Sequence, residues 1–293
     1  MERYTIAAFN RDYPTDDACL EWLKNYLYPN GIFCEKCGKV TKHHKDAKRP
    51  SYSCDHCGHH FHPTAGTIFE KSTTPLKLWF HAIFLMSSTR CGISAKQIER
   101  ETGVTYKTAW RMFKQIRSML DEDTKPLSNK VELDETYIGG KAHNMHKSKR
   151  DCLTGRGTAD KIPVFGTVER KGRVMAVTVP STDGATLLPY VRKYVIPSSI
   201  IYTDEAGGYE HLNQNGYRHQ RVRHSEHIYV SGDIHTNTIE GFWSLLKRGI
   251  SGVYHSVSAE YLQSYLNEYT FRYNHREDAA PMFKTMLRQV TTS

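Results

Sequence analysis

Acidic residues inside an apolar segment are the first candidates for chemistry in this chain. The segment VELDETYIGG, residues 131–140, alternates so that Val131 and Leu133 lie on one face of a predicted strand. Glu132 and Asp134 lie on its other face, and the glycine pair that follows ends the strand. Burying a carboxylate is costly unless a cation neutralises its charge, so the pattern indicates a divalent metal site. The alternative is an edge strand whose acids face water.

Two later segments supply further acids that would converge on this strand. The apolar run 199–203 is a predicted strand, and Asp204 follows at its carboxyl end. Apolar residues recur with helical spacing over 235–255, where Glu240 and Lys247 are seven residues apart, two turns along one face. Any one of these acids would be ordinary alone, because most carboxylates are simply exposed. As a set, they are candidate ligands for a cation that prefers oxygen.

Four of the seven cysteines form two CxxC pairs that are typical of a zinc ribbon. Sixteen residues separate Cys34 and Cys37 from Cys54 and Cys57, and a glycine follows each pair. Each CxxC-Gly sequence turns two thiolates toward one ion, and two such turns complete a tetrahedral site. Four protein ligands leave no open position, so we expect one structural Zn²⁺ and a binding role. The alternatives are four free thiols, or ligation by some of the six nearby histidines.

The composition favours a polyanionic partner such as nucleic acid and a reducing compartment. Forty Lys and Arg residues against 31 Asp and Glu give the 293-residue chain a formal charge of +9. The stretch TKHHKDAKRPSYS, which includes Tyr52, fits a surface against a DNA backbone, although a solvated loop would look the same. The remaining cysteines, Cys19, Cys91 and Cys152, are scattered singly, which argues against a disulfide framework. No run approaches roughly 18 apolar residues and no signal peptide is present, so we expect a soluble cytoplasmic protein without a membrane partner.

Two helices after the cysteine-rich segment have the pattern of a helix-turn-helix. A first helix is predicted from Ser94 to Glu101, then a turn over 102–104, then a second helix capped by Thr105. The predicted core comprises Ala95, Ile98, Val104, Ala109, Trp110 and Phe113. The positions that would face a DNA groove are Tyr106, Lys107, Thr108 and Arg111. A plain helical hairpin shares this pattern.

The rest of the chain predicts a sheet flanked by helices. A helix over 16–28, capped by Asp16 or Asp17, precedes the ribbon, and an apolar helix begins after Pro75. Residues 121–130 are a polar linker, and 141–161 form a long basic loop of a kind that is usually functional or disordered. Further along, the patterns predict strands over 163–169, 173–179 and 217–224, and helices over 185–195, with a cap at 182–183, and 258–276.

The order of these acids and elements resembles that of a DDE transposase of a bacterial insertion sequence. The segments VELDETYIGGK, IYTDEAGGYEHL and HTNTIEGFWSLLKRGISGVYH are similar to the insertion-sequence family numbered fifteen-ninety-five, whose members also carry an N-terminal zinc ribbon. The resemblance covers about residues 15 to 280, and the motifs are specific together although each alone is weak. It implies an α/β fold with a mixed sheet: a ribonuclease H-like catalytic domain preceded by a zinc ribbon and a helix-turn-helix.

The resemblance also implies two-metal phosphoryl transfer on DNA. Asp134 and Asp204 match the first two acid positions of the family, and with Glu240 they would hold two Mg²⁺ or Mn²⁺ ions roughly 3.5 to 4 Å apart. Some members of the family have asparagine at the third position, which makes Asn237 the alternative. We favour Glu240 because an anionic oxygen binds Mg²⁺ better than an amide oxygen does.

Residues close to these acids are expected to have supporting roles. Lys247, with Arg248, would contact a DNA phosphate, and the alternative is an ordinary solvated helix lysine. Glu132, Glu135 and Glu205 flank the two aspartates, and for each we favour a structural or supporting role.

The sequence thus predicts a transposase that binds the ends of its insertion sequence and cuts and joins double-stranded DNA. It would act as a homo-oligomer on DNA, at the bacterial nucleoid. The predicted domains are an N-terminal helix (1–30), a zinc ribbon (31–70), a helix-turn-helix region (71–122), the catalytic domain (123–280) and a C-terminal tail (281–293). The alternatives are a catalytically inactive DNA-binding protein and a ribonuclease H-like nuclease without strand transfer.

Overall fold

The chain divides into two compact units, and each is described by itself. A computed structural model describes residues 4–122, 125–140, 147, 161–204, 207–209, 211–222 and 235–291. The first unit comprises residues 1–119 and 277–293, and the second comprises residues 120–276. Most of the basic loop 141–161, and the end of the strand predicted over 217–224, lie outside the described residues.

The described residues contain helices in both units and strands in three sheets. The helices are α1 (Ile6–Asp12), α2 (Asp16–Leu27), α3 (Leu76–Ser88), α4 (Ala95–Thr102), α5 (Tyr106–Ser118), α6 (Gly184–Tyr194), α7 (Asn237–Gly249), α8 (Ala259–Asn274) and α9 (Met282–Leu287). The strands are β1 (Ile32–Cys34), β2 (Lys39–Thr41), β3 (His43–Lys45), β4 (Tyr52–Cys54), β5 (His60–Phe61), β6 (Lys130–Ile138), β7 (Ile162–Glu169), β8 (Val174–Thr178), β9 (Ile200–Thr203) and β10 (Arg218–Arg221). None of these described helices is long and apolar enough to cross a membrane.

The helices α4 and α5 begin within a residue of their predicted starts, and Thr105 caps α5 as predicted. Ser94 Oγ accepts the Gln97 amide at 3.2 Å, and Thr105 Oγ1 accepts the Thr108 amide at 3.3 Å. Gly103 ends α4 with a φ of 71°, in the left-handed region that glycine adopts without steric cost. The two helices and the turn between them are therefore encoded locally.

The predicted core of this helix pair is correct except at its edge. Four of the six predicted core residues, Ala95, Ile98, Ala109 and Phe113, are buried, and Val104 is half-buried. Trp110 is 37% exposed instead, because it lies one turn after the exposed Tyr106 on the outer face of α5. The large apolar ring predicts burial from its type alone, and here that prediction is wrong.

The C-terminal residues 281–293 are not the tail that the sequence predicts. They contain α9, which belongs to the first unit. Phe283 is 1% exposed, and its ring contacts those of Phe9 and Phe84. The Ile68 amide donates to the Val290 carbonyl at 3.0 Å. The prediction fails because a helix of six residues is too short to show a clear apolar periodicity. Its burial depends on contacts with aromatic rings that are distant in sequence.

The start of α2 also differs from the prediction in its cap. Thr15 Oγ1, rather than Asp16 or Asp17, accepts the Ala18 amide at 3.2 Å. Asp16 caps a different helix, because its Oδ1 accepts the Lys77 amide on the first turn of α3 at 2.7 Å. This acid therefore joins two helices of the first unit that lie far apart in sequence.

The second unit is a five-stranded mixed sheet with helices on both faces. Its strand order is β10-β9-β6-β7-β8. The strands β6, β7 and β8 are antiparallel neighbours, whereas β9 is parallel to β6 and β10 is parallel to β9. This is the ribonuclease H-like arrangement that the resemblance implies, with β6 at its centre.

Alternation along β6 separates its apolar residues from its acids. Val131 and Leu133 are fully buried in a core shared with Leu187 and Val191 of α6. The opposite face of the sheet is covered by α7 and α8 through a second core. Glu132 and Asp134 belong to that face, as the period of two predicts.

Candidate active site and zinc site

The four predicted zinc ligands come together in the first unit. The sulfur atoms of Cys34, Cys37, Cys54 and Cys57 all lie within 4.8 Å of one another. The Cys34–Cys57 and Cys37–Cys54 separations are each 3.6 Å. A tetrahedral ion with Zn–S bonds of about 2.3 Å requires sulfur atoms about 3.8 Å apart. The cluster therefore fits one structural zinc ion.

The turns that hold the sulfurs have the geometry expected of zinc knuckles. Gly38 and Gly58, which follow the two CxxC pairs, have φ values of 65° and 66°. Their amides donate back to the carbonyls of Cys34 and Cys54 at 2.8 and 2.9 Å. The Thr41 hydroxyl, 3.1 Å from the Cys54 sulfur, lowers the pKa of that thiol, whereas hydrogen bonding to Cys34 raises the pKa of Cys37.

The nearby histidines and Tyr52 do not form part of this site. Within the described residues, the four cysteines are the group of potential ligands whose donor atoms approach this closely. Tyr52 is 2% exposed, and its hydroxyl donates to Glu21 Oε2 on α2 at 2.6 Å. Its predicted place on a DNA-facing surface is therefore wrong, since it packs the ribbon against α2.

Asp134 lies on β6, and Asp204 follows directly after the neighbouring strand β9. β9 is parallel to β6, and Tyr202 pairs with Glu132. Continued by two residues, this register brings Asp204, which follows the end of β9, level with Asp134. Neighbouring strands lie about 4.8 Å apart, so a continuation of this register would place the two acids close together.

Burial and neighbouring charge both act on Asp134. Burial of its carboxyl raises its pKa to about 7, and the charges of Asp204 and Glu240 act in the same direction. Two donors oppose them: the Glu135 amide, 2.9 Å from Oδ1, and the Trp243 indole nitrogen, 3.0 Å from Oδ2. Asp134 is therefore within electrostatic reach of both other acids, and a divalent cation would favour its ionised form.

Glu240 lies on the first turn of α7, where Thr236 holds its side chain. The Thr236 hydroxyl donates to Glu240 Oε1 at 2.9 Å, and the Glu240 amide donates to the Thr236 carbonyl at 3.1 Å. Asn237, the alternative third ligand, lies at the start of the same helix, and both Asn237 and Glu240 are exposed. In the described residues the acids Asp134, Asp204 and Glu240 are spread more widely than the zinc cysteines, since no three carboxylates have oxygens within 4.8 Å of one another.

Glu135 is a half-buried acid on the opposite face of β6. Its pKa is raised to about 7, chiefly by burial and also by the charges of Asp134 and Asp204, while the Tyr209 hydroxyl acts in the opposite direction. Tyr209 is 1% exposed, and burial raises its own pKa well above the usual range. Glu205 lies outside the described residues.

Two residues beside Asp134 were missed from the sequence. Trp243 is predicted only as an apolar residue of the helix, yet its indole nitrogen donates to Asp134. Gly166 pairs with Asp134 across β7 and β6, and a Cβ at that position would lie 2.3 Å from the Trp243 ring. The glycine therefore leaves room for the ring beside the carboxylate. Glycine inside an apolar strand was the available signal, because it often marks a close approach.

The residues predicted to contact DNA lie on two helices, one in each unit. Lys247 and Arg248 are exposed on the last turn of α7. Tyr106 and Lys107 are exposed at the start of α5, and Thr108 beside them is half-buried.

Arg111, the remaining predicted DNA contact, is exposed but already has partners. Its Nη2 donates to Ser72 Oγ at 3.3 Å and to Thr74 Oγ1 at 3.2 Å. Its guanidinium carbon lies 5.9 Å from the centre of the Trp79 ring.

Comparisons with known protein families decide the family of this chain. A model described as an ISXO2-like transposase domain matches residues 126–274, and one described as a transposase zinc-ribbon domain matches residues 14–60. The chain belongs to the ISXO2-like transposase family. The resemblance to the insertion-sequence family numbered fifteen-ninety-five is thereby confirmed.

Two relatives of this transposase are found in Halobacterium salinarum and Haemophilus influenzae. A protein in the transposable element ISH50 of Halobacterium salinarum is 31% identical over 265 residues, which are 85% of this chain and 88% of that protein. A transposase-like protein of Haemophilus influenzae is 36% identical over 107 residues, which are 36% of this chain and 85% of that protein. A solved structure, the simian T-cell lymphotropic virus intasome with PP2A regulatory subunit B56 gamma, is 14% identical with a TM-score of 0.30 over 66% of this chain and 65% of that chain.

Proposed function

We propose that this transposase binds the ends of its own insertion sequence and catalyses Mg²⁺-dependent cleavage and strand transfer of DNA. The observation that carries the proposal is the environment of Asp134. Asp134 is half-buried on the central strand of the sheet, and its pKa is raised by burial of the carboxyl and by the charges of Asp204 and Glu240. A carboxyl group whose pKa is raised by burial and by neighbouring acids is typical of a functional site.

The donor set fits Mg²⁺ or Mn²⁺, which prefer carboxylate oxygens. Asp134, Asp204 and Glu240 would hold the ions. When bound, such ions activate the attacking oxygen and stabilise the leaving oxygen of a phosphodiester. We favour Glu240 over Asn237 as the third ligand because its charge acts on Asp134 and because Thr236 orients its carboxylate.

Side chains around these acids would keep them in place during the reaction. Trp243 donates to one oxygen of Asp134, which leaves the lone pairs directed away from the indole available to a cation. The Thr236 hydroxyl occupies one oxygen of Glu240 in the same way. These hydrogen bonds would orient Asp134 and Glu240 before a metal or DNA arrives, and preorganisation of this kind lowers the cost of reaching the transition state.

DNA would be held by basic and polar residues on two helices. Tyr106, Lys107, Thr108 and Arg111 of α5 would contact the element end, and Lys247 and Arg248 of α7 would contact phosphates near the site of cleavage. The zinc ribbon would add a further binding surface. Because both ends of an element must be joined to one target, we expect a homo-oligomer on double-stranded DNA.

Cleavage of terminal-repeat DNA by the full-length, zinc-loaded chain tests the proposal. With Mg²⁺, the wild type is expected to nick the element end and to join it to a target. Asp134→Ala should lose both activities by at least about 1000-fold, because a metal ligand is removed from the reacting centre. Glu260→Gln, at an exposed acid of α8, should be unaffected.

Three outcomes would contradict the proposal in different ways. Equal cleavage by Asp134→Ala would remove the acids from the reaction. Binding of the end without any cleavage would identify an inactive DNA-binding protein. Cleavage that yields only water-derived ends and never a joined product would identify a ribonuclease H-like nuclease without strand transfer.

A further inference from the structure

Glu132 is a buried carboxylate with donors on both of its oxygens. Its side chain is 0% exposed. Oε1 accepts Arg170 Nε at 2.7 Å and the Thr238 hydroxyl at 2.9 Å. Oε2 accepts the backbone amides of Thr238 at 2.8 Å and of Ile239 at 3.0 Å. A buried charge with this many partners is held in one place.

The two amides that Glu132 accepts are the free donors at the start of α7. The first amides of a helix have no partner within the helix, and a side chain at the N-cap usually supplies one. Thr236, at the N-cap of α7, does not do so, because its hydroxyl donates to Glu240 instead. The cap of α7 therefore comes from the central strand of the sheet.

Arg170 ties the segment before α7 to the same carboxylate. Its Nη2 donates to the His235 carbonyl at 2.7 Å while its Nε donates to Glu132. Its guanidinium carbon lies 4.1 Å from the centre of the Tyr202 ring on β9. His235 Nδ1 lies 3.3 Å from Glu132 Oε1. Glu132 and Arg170 together therefore connect β6, β9 and the residue that precedes the N-cap of α7.

A second attachment fixes the same helix farther along. Asp134, two residues after Glu132 and on the same face of β6, accepts the indole of Trp243 on α7 at 3.0 Å. Two carboxylates of one strand therefore hold one helix at two places. Glu240 lies between these places in the sequence of α7, so neither sliding nor rotation of the helix can move it while both attachments hold.

We propose that Glu132 is a positioning residue that sets the place of Glu240 relative to Asp134 and Asp204, and thereby the affinity of the site for divalent cations. The proposal rests on the proposed function, because it assumes that these acids bind metal. Glu132 itself is too completely enclosed by protein donors to serve as a ligand. Its role would be exerted through α7.

A glutamine cannot replace Glu132 in this network. Both oxygens accept from N–H donors, so the amide group of glutamine would face a backbone amide or the Arg170 guanidinium, donor against donor. Glu132→Gln keeps the volume of the side chain. It loses hydrogen bonds either to the first amides of α7 or to Arg170. The variant therefore separates the position of α7 from simple loss of packing.

Calorimetric titration of Mn²⁺ into the zinc-loaded, full-length chain tests the proposal without relying on activity. Glu132→Gln is expected to weaken Mn²⁺ binding by on the order of 10-fold, as is usual when a group that orients metal ligands is lost. Glu240→Gln should weaken it as well, and the double variant should bind no more weakly than Glu240→Gln alone. Such non-additivity is expected when one residue acts through the other.

Glu268→Gln is the matched control for the loss of a buried carboxylate. Glu268 is also 0% exposed, and it accepts Arg272 Nη2 at 2.7 Å within α8 and the Tyr254 hydroxyl at 3.5 Å. It should lower the melting temperature without changing the affinity for Mn²⁺. If Glu132→Gln does not fold, Arg170→Lys takes its place. Lysine keeps the positive charge but loses the contact with the His235 carbonyl. Mn²⁺ binding is then expected to weaken several-fold.

The outcomes separate this proposal from the proposed function. If Asp134→Asn abolishes Mn²⁺ binding while folded Glu132→Gln or Arg170→Lys binds as the wild type does, only the positioning role is overturned. Losses from Glu132→Gln and Glu240→Gln that multiply would overturn it as well. If the wild type binds no Mn²⁺ beyond what Asp134→Asn binds, both the positioning role and the metal-dependent function fail.

Discussion

At the scale of single residues, the carboxylate of Asp134 depends on the indole of Trp243. The ring is 4% exposed and lies in the core between the sheet and α7, so its nitrogen is held toward Oδ2. A donor to an ionised acceptor is typically worth about 1.5 to 3 kcal/mol, more than a neutral hydrogen bond. The indole therefore favours the ionised carboxylate of Asp134 and holds its side chain in one orientation.

Trp243→Phe should separate this hydrogen bond from the packing of the ring. Phenylalanine fills most of the same space but has no donor, so we expect DNA cleavage to fall about 10-fold while the chain remains folded. Single-turnover cleavage together with a thermal melt would measure both effects. Unchanged cleavage by a folded variant would mean that the indole has only a packing role.

His219 on β10 should make the second unit less stable in acid. Burial lowers its pKa to about 4, and its Nε2 lies 2.8 Å from Thr203 Oγ1. The folded pKa lies below that of a free histidine, about 6.5, so the unfolded chain binds the proton more readily between these values. The stability due to neutral His219 is therefore present above about pH 6.5 and is lost as the pH falls toward 4.

Unfolding measured at pH 7.5 and pH 5 for wild type and His219→Gln would test this dependence. The wild type should lose more stability between the two pH values than His219→Gln does. The exposed His211→Gln provides the control and should behave as the wild type. Equal losses in wild type and His219→Gln would contradict the prediction.

At the scale of elements, the close approach of α7 to β7 depends on Gly166. A Cβ there would lie 2.3 Å from one atom of the Trp243 ring and 3.1 Å from the Ile239 side chain. Both neighbours are almost completely buried and have little room to move. The helix that bears Glu240 can therefore lie against the sheet only where the strand has no side chain.

Gly166→Ala and Gly241→Ala should change stability in opposite directions. Overpacking at Gly166 is expected to cost about 1 to 3 kcal/mol. A methyl group at Gly241, within α7, meets nothing within 4 Å, so alanine should stabilise the helix by up to about 1 kcal/mol. Urea unfolding of both variants would measure the difference. A destabilised Gly241→Ala, or a neutral Gly166→Ala, would contradict this account of the interface.

The elements themselves were largely predictable because their signals are local. The caps of α4, α5 and α6, the alternation along β6 and the two CxxC-Gly turns are all encoded within a few residues. The contacts that were missed join residues far apart in sequence. Examples are Glu132 with α7, the capping of α3 by Asp16, and α9 against Phe9.

The candidate site was predictable in its acids but not in their surroundings. Asp134 and Asp204 are recognisable because each ends or interrupts an apolar segment. No local pattern tells that Glu132 caps a helix more than 100 residues away, or that Trp243 donates to Asp134. Those contacts depend on the register of β6 with β9 and on the placement of α7, which arise only from tertiary packing.

At the scale of the whole molecule, the zinc site should stabilise the ribbon and leave the second unit intact. The ribbon strands are two or three residues long, too short to be stable without the metal. Chelation or Cys54→Ser should therefore abolish hydrogen-exchange protection over 31–61 but not over 130–138. Metal analysis should find one zinc per chain in the wild type.

Cys91→Ser provides the control for that prediction. Cys91 is half-buried in the first unit and is not one of the four clustered cysteines. It should retain one zinc per chain and the protection of the ribbon. Retention of zinc by Cys54→Ser, or loss of protection in both units at once, would contradict a separate structural site.

A crystal structure of the chain soaked in Mn²⁺ tests the central claim most directly, because the metal is located by its anomalous scattering. We predict Mn²⁺ at coordination distance, about 2.0 to 2.6 Å, from carboxylate oxygens of both Asp134 and Asp204, with Glu240 rather than Asn237 turned toward it. An ordered sheet in which Asp134 and Asp204 bind no Mn²⁺ at a concentration that saturates other sites would contradict the account.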